Sequence, residues 1–192
     1  YPSTPEESFE SANEGLYWGA HMSKCRAERR ICRLPHDEHA LTFSSWDIGI
    51  GDSTAIWVWQ LVGKDIHFID YYENSDESLA HYVNWVKKLP YGIEKHYLPH
   101  DAAAREKGSG KSYADIAREL GLKVEIVPID KNEMFGIEAV RNAFPRFWFD
   151  QSKCDKGLKA IDSFKKEWND KLGCYREKSL HDWASHAAKA LI

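Results

Sequence analysis

The stretch from Thr42 to Trp59 constrains this chain more than any other. It reads Thr-Phe-Ser-Ser-Trp-Asp-Ile-Gly-Ile-Gly-Asp-Ser-Thr-Ala-Ile-Trp-Val-Trp. β-Branched and aromatic residues fill both arms, and Gly49, Gly51, Asp52 and Ser53 interrupt them, so the stretch predicts a strand, a tight turn and a second strand. Asp47 closes the first arm just before the turn. A carboxylate there is carried by a rigid strand yet faces an opening, which suits a hard divalent cation. A plain hairpin in which Asp47 merely starts the turn fits the same residues.

The first strand is expected over 41–48 and the second over 54–62, with Gly63-Lys64 turning into a third over 65–73. The period then changes. Leu79, Tyr82, Val83, Val86 and Leu89 fall on one helical face until Pro90. His96 to His100 reads as a short strand leading to Asp101, followed by a Gly-rich loop, a helix ended by Gly121 and a strand over 123–127. Helices are expected at 134–144, 153–170 and 180–191, with an extended piece at 146–149. Three antiparallel strands followed by alternating strands and helices predict an α/β domain with a mixed sheet of five or more strands. This is the plan of the ribonuclease-H-like fold, over 41–192. Its first and fourth strands are neighbours, which would bring Asp47 and Asp101 together. Residues 1–40, polar and then basic, read as an arm or linker entering that fold.

Length fits one domain of 192 residues, or one domain with an arm. Eight tryptophans and an ordinary apolar fraction exclude a disordered chain. No apolar run approaches the roughly 18 residues of a membrane span. The chain opens on Tyr1 without a secretory signal and reads as part of something larger. The net charge of −4 decides nothing about nucleic acid, because an acidic site lowers the total and local patches matter more. One basic patch runs from Lys24 to Arg33 and includes Arg29 and Arg30. Lys153, Lys156, Lys159, Lys165 and Lys166 make another. Cys25, Cys32, Cys154 and Cys174 form no CxxC pair, so a reducing compartment is expected. His21, Cys25, Cys32, His36 and His39 match no standard zinc module.

Carboxylates on adjacent strand ends are what a two-metal phosphodiesterase needs, with its ions ~3.5–4 Å apart. Asp47 would bridge them and Asp101 would complete one shell. On the last helix, Asp182, His186 and position 189 share a face that could aim ligands at this pair, and small neighbours permit close packing. Gly108-Ser-Gly-Lys-Ser112 looks like the end of a phosphate-binding P-loop. It has Arg105 where that loop needs glycine, and its strand ends about ten residues too early. A basic loop is the better reading, with Arg105, Lys107 and Lys111 able to meet a phosphate backbone.

Taken in order, Trp46-Asp-Ile-Gly-Ile-Gly-Asp-Ser-Thr-Ala-Ile-Trp57, Pro99-His-Asp-Ala102, the Gly-Ser-Gly-Lys-Ser loop and His181-Asp-Trp-Ala-Ser-His-Ala-Ala188 resemble the nuclease domain of the large terminase subunit of tailed bacteriophages. The opening Tyr1-Pro-Ser-Thr-Pro-Glu-Glu-Ser-Phe9 resembles the tail of the preceding ATPase domain. The resemblance implies a metal-dependent endonuclease that cuts concatemeric double-stranded viral DNA during genome packaging in the host cytoplasm. It implies two Mg²⁺ or Mn²⁺ ions held by Asp47 and Asp101, with His186 near them and Asp52 as a further contact. Implied partners are the DNA, an ATPase domain outside this chain, a portal protein and a small terminase subunit, with no membrane.

One position departs from that pattern. The family carries an Asp three residues after the histidine, and this chain has Lys189 there. An ammonium cannot ligate a metal and opposes a cation at the same spot. The expectation is weak metal binding, with DNA cut slowly or not at all. The alternatives are a resolvase- or transposase-like nuclease on the same fold, and a non-catalytic module that docks on DNA or portal.

Overall fold

Strands β2 (Thr42–Asp47), β3 (Ser53–Val62) and β4 (Asp65–Ser75) form the antiparallel meander the sequence predicts. In the computed structural model, residues 14–49, 52–105, 110–128 and 132–192 are described. Ala55, Ile56, Trp57 and Val58 of β3 are all buried, although successive side chains point to opposite faces. Both faces of the sheet are therefore covered. Trp57 belongs to a core under helices α1 (Gly19–Ala27), α4 (Glu133–Ala143), α5 (Asp155–Ser163) and α6 (Ser185–Lys189). Ile56 and Val58 belong to a second core under α2 (Leu79–Lys87) and α3 (Tyr113–Glu119).

The described sheet has seven strands, in the order β1 (Ile31–Cys32), β7 (Phe147–Asp150), β4, β3, β2, β5 (Lys95–Leu98) and β6 (Val124–Ile126). β5 (Lys95–Leu98) runs parallel to β2, with Ser45 opposite Tyr97. β6 (Val124–Ile126) continues that side, and β7 (Phe147–Asp150) pairs parallel with β4. The neighbouring first and fourth strands expected from element order are thus β2 and β5.

Three stretches differ from the sequence reading. Residues 17–32, read as part of an arm, lie within the domain: Trp18, Met22 and Cys25 are fully buried, and β1 (Ile31–Cys32) pairs with β7. The buried side chains of α1 are few, Met22 and Cys25 with Trp18 just before the helix, so periodicity is weak while burial is deep. The helix expected to run to 170 stops at Ser163, because Phe164 turns extended and packs against the rings of Tyr17 and Trp18. Beyond it, β8 (Lys166–Asn169) and β9 (Cys174–Ser179) form a separate hairpin. The last helix starts at Ser185 rather than 180, since the Asp182 carboxylate accepts the backbone N–H of Ala184 at 2.9 Å and holds a turn there.

Two close approaches fix the framework under the site. A Cβ on Gly157 would stand 2.4 Å from the Trp57 ring, so only glycine lets α5 lie this near β3. The Trp57 indole N–H donates to the Ala187 carbonyl at 2.8 Å, which ties α6 to the same strand. Buried indoles need such a partner, and here it also sets the position of His186.

Candidate metal centre at the sheet edge

Asp47 ends β2, pairs with Ala55 on β3, and Ala55 in turn pairs with Glu73 on β4. The two carboxylates therefore share a face, separated by a methyl group. Because β5 is parallel to β2, Asp101 comes out at the same sheet edge, in the 3-10 turn His100–Ala103, with its side chain exposed. In open α/β sheets the edge at the carboxyl ends of the parallel strands is where ligands bind. Gly49 makes the turn after Asp47 possible: a Cβ there would meet the Ser53 carbonyl oxygen at 2.4 Å.

The side chain that reaches Asp47 is His186. Its Nδ1 donates to Asp47 Oδ2 at 2.9 Å, while its Nε2 lies 3.1 Å from Asp52 Oδ2. That hydrogen bond to Asp47, then the charges of Asp47, Asp52 and Glu73, hold the imidazole above its ordinary range against the effect of burial. His181 Nε2 lies 3.1 Å from the same Asp52 oxygen. Among the described residues, Asp52, His181 and His186 are the group of three whose ligating atoms all come within 4.8 Å of one another. Asp47 joins it through His186, and Asp101 stands outside it. The backbone N–H of Ser53 donates to Asp52 at 2.8 Å and, ahead of the two histidines, keeps that carboxyl below its ordinary range.

The remaining sequence candidates separate clearly. Asp182 is spent on the turn before α6. Lys189 is exposed on α6, three residues past His186. Arg30 is not a surface cation: its guanidinium is buried and donates to the carbonyls of Phe144 and Phe147, because the loop after α1 turns it inward. Arg29 is exposed and takes a positive φ of 57°. Arg105 is exposed and bridges to Ser112. Lys111 pairs with Glu119 at 2.7 Å, and Lys107 lies outside the described residues. Ser112 caps α3 in a reciprocal box with Asp115, an ordinary helix start. Cys25 is buried against the Phe147 carbonyl and His36 stacks on Tyr91, so the early Cys/His residues do not converge.

Two residues near the centre escaped the sequence reading. Glu73 is almost fully buried, accepts a short hydrogen bond from the Tyr71 hydroxyl and lies 3.4 Å from Lys156 Nζ. Strand alternation from Tyr71 was the signal for it. His181 stands out in the sequence only as part of the His-Asp-Trp-Ala-Ser-His run, and its approach to Asp52 depends on a turn that a helical reading hides.

No protein-family model and no curated protein matches this chain. Solved structures do. The nuclease domain of the large terminase of bacteriophage P22 aligns with TM-score 0.63 and 16% identity, over 85% of this chain and 84% of that one. The large terminase nuclease domain of bacteriophage SPP1, solved with bound Mn, aligns with TM-score 0.57 and 15% identity, over 78% and 82%. A large terminase from a thermophilic bacteriophage aligns with TM-score 0.68 and 14% identity, over 92% of this chain. This chain spans 43% of that protein. The fold is a ribonuclease-H-like mixed sheet flanked by helices. More narrowly, it is the fold of the large terminase nuclease domains.

Proposed function

We propose that this chain is a metal-dependent nuclease domain that cuts double-stranded viral DNA during genome packaging. The observation that carries the reading is the pair of carboxylates, Asp47 and Asp101, at one edge of two neighbouring parallel strands, with His186 bonded to the first. Their oxygen donors fit Mg²⁺ or Mn²⁺, which prefer hard ligands held by rigid elements. Asp47 and Asp101 would hold the metal. When bound, a pair of such ions supplies an activated water and a stabilised leaving oxygen.

The protein's own part is positioning. His186 orients the Asp47 carboxylate through Nδ1, and the Trp57–Ala187 bond keeps α6 at the distance that bond requires. Glu73 adds negative charge behind Asp47, balanced by Lys156. Arg105 and Lys111 are the cations offered to the phosphate backbone, in contacts that position DNA without reading its sequence, whereas Arg29 precedes β1 at the opposite edge of the sheet. Lys189 places an ammonium where the related pattern has a carboxylate, so metal binding is weak and turnover slow. As in the resemblance, the reading places the chain next to an ATPase domain, in the host cytoplasm, with portal and small terminase subunit as partners. Among the described residues no helix is long and apolar enough to cross a membrane.

The test is nicking of supercoiled plasmid with Mg²⁺ or Mn²⁺. Asp47→Asn and Asp101→Asn should each abolish what cutting the unaltered chain shows, and Lys189→Asp should raise it. Salt-sensitive DNA binding with no cutting by any version would move a docking role to the front.

A further inference from the structure

The basic run from Lys24 to Arg33 takes no part in the metal centre, because the fold sends it to the other end of the sheet. β7 runs parallel to β4, and β4 runs the same way as β2, so the turn Phe144–Arg146 before β7 lies at the end where these strands begin, away from Asp47. α1 finishes there in a Schellman turn. The Arg30 N–H donates to the Cys25 carbonyl at 2.9 Å and the Arg29 N–H to the Arg26 carbonyl at 3.0 Å, with Arg29 in the positive-φ position usually left to glycine.

Between α1 and the turn before β7 opens a cleft of about 250 Å³, lined by His21, Lys24, Arg30, Arg141, Phe144 and Pro145. Three cations line it and, among the described residues, no carboxylate does. Glu28 and Glu138 pair with the two arginines from outside the lining. Both guanidiniums are fixed before any ligand arrives. Arg30 is 5% exposed: Glu28 holds its Nε at 2.9 Å and the Phe144 and Phe147 carbonyls hold Nη1, so Nη2 is left without a hydrogen bond among the described residues. Arg141 is held by the Tyr17 carbonyl, through Nε at 3.1 Å and Nη2 at 3.0 Å. Donors fixed in this way lose little freedom on binding. His21 Nδ1 is buried without a partner among the described residues, which leaves Nε2 as the nitrogen that can meet a ligand.

Size and donor count select that ligand. The cleft falls below the ~300–1,000 Å³ that encloses a drug-sized molecule, so it takes one small group. Guanidinium and ammonium donors arriving from three side chains suit the three oxygens of a phosphate group better than the two of a carboxylate. We infer that this cleft is a site for a single phosphate group, as the free ion or as the end of a phosphate monoester, held by Lys24, Arg30 and Arg141. It goes beyond the nuclease reading and shares no residue with the Asp47–Asp101 centre.

The test follows the arginine Nε–H signals of the ¹⁵N-labelled chain by NMR while sodium phosphate is added at constant ionic strength, without divalent metal. Arg30 and Arg141 should shift along one saturating curve while the exposed Arg105 stays still. Arg141→Gln should weaken binding roughly tenfold or more, the usual loss with a charged hydrogen-bond donor. Lys24→Gln, at an exposed position that leaves the fold intact, should weaken it severalfold. Glycerol phosphate separates the sources: binding as tight as that of phosphate assigns a monoester, binding of phosphate alone assigns the free ion, and either supports the site. No shift in the unaltered chain, unchanged binding in Lys24→Gln, or unsaturated shifts at exposed arginines throughout, which would mean an adventitious ion only, would each overturn the proposal. So would a DNA duplex that moves Arg30 and Arg141 where phosphate does not, since the cleft would then be a backbone contact. None of these readouts uses cutting, so Asp101→Asn should lose plasmid nicking and keep phosphate binding, and the two readings stand or fall separately.

Discussion

An aspartate at the end of a strand has two oxygens and free rotation about its side chain, so something must decide which oxygen it presents. At Asp47 that is His186 Nδ1, at 2.9 Å from Oδ2. Replacing His186 with Ala should weaken Mn²⁺ affinity by about 10–100-fold, the usual effect of losing a group that orients a metal ligand. Titrating Mn²⁺ calorimetrically against both chains measures it, and an unchanged affinity would show that Asp47 needs no such support. A second histidine acts on stability instead. His96 is buried on β5, where Ser44 accepts the Trp46 indole N–H and donates its own proton to His96 Nδ1. Burial lowers the imidazole from 6.5 to about 4. Below pH 6.5 the unfolded chain binds a proton that the folded chain refuses until about 4. Stability is therefore full above that window and falls by about 1.4 kcal/mol per pH unit through it. Urea midpoints taken between pH 7 and pH 4.5 should decline accordingly, and a flat profile would contradict the buried neutral ring.

At the scale of elements, the site depends on how closely α5 and α6 sit on β3. Gly157→Val would push a side chain into the Trp57 ring, already 2.4 Å from the Cβ position, and overpacking of this kind costs about 1–3 kcal/mol. The melting temperature should drop, and the drop should be smaller when Trp57 is also changed to Leu, since the shared clash is then relieved. The strands were legible in the sequence because β2, β3 and β4 are rich in β-branched and aromatic residues between glycine-marked turns, and the parallel partnership of β2 and β5 followed from element order. What stayed hidden depends on contacts between distant residues. α1 sits in the core through Trp18 and Met22 without a regular apolar stripe, and Phe164 ends α5 because Tyr17 and Trp18 offer it a better place than another helical turn. The same holds at the site. Asp47, Asp101 and His186 stood out by position, whereas His181 becomes visible only once the turn at Asp182 brings it to Asp52. Arg30 looked like a surface cation from charge pattern alone, and only the fold shows its guanidinium capping buried carbonyls.

For the whole molecule, a seven-stranded sheet covered on both faces leaves Asp47 and Asp101 at one edge, with the exposed Arg105 following the turn that carries Asp101. Lys189 is the residue that sets this chain apart from the pattern it resembles, and it sits on the same short helix as His186. On the proposed function, a positive charge there would oppose the cation that Asp47 and Asp101 would hold. Cleavage of supercoiled plasmid in Mn²⁺ by the unaltered chain, Asp47→Asn and Lys189→Asp tests the central claim most directly. Slow nicking is expected of the first, none of the second and faster cutting of the third. Nicking by Asp47→Asn at the rate of the unaltered chain would contradict it.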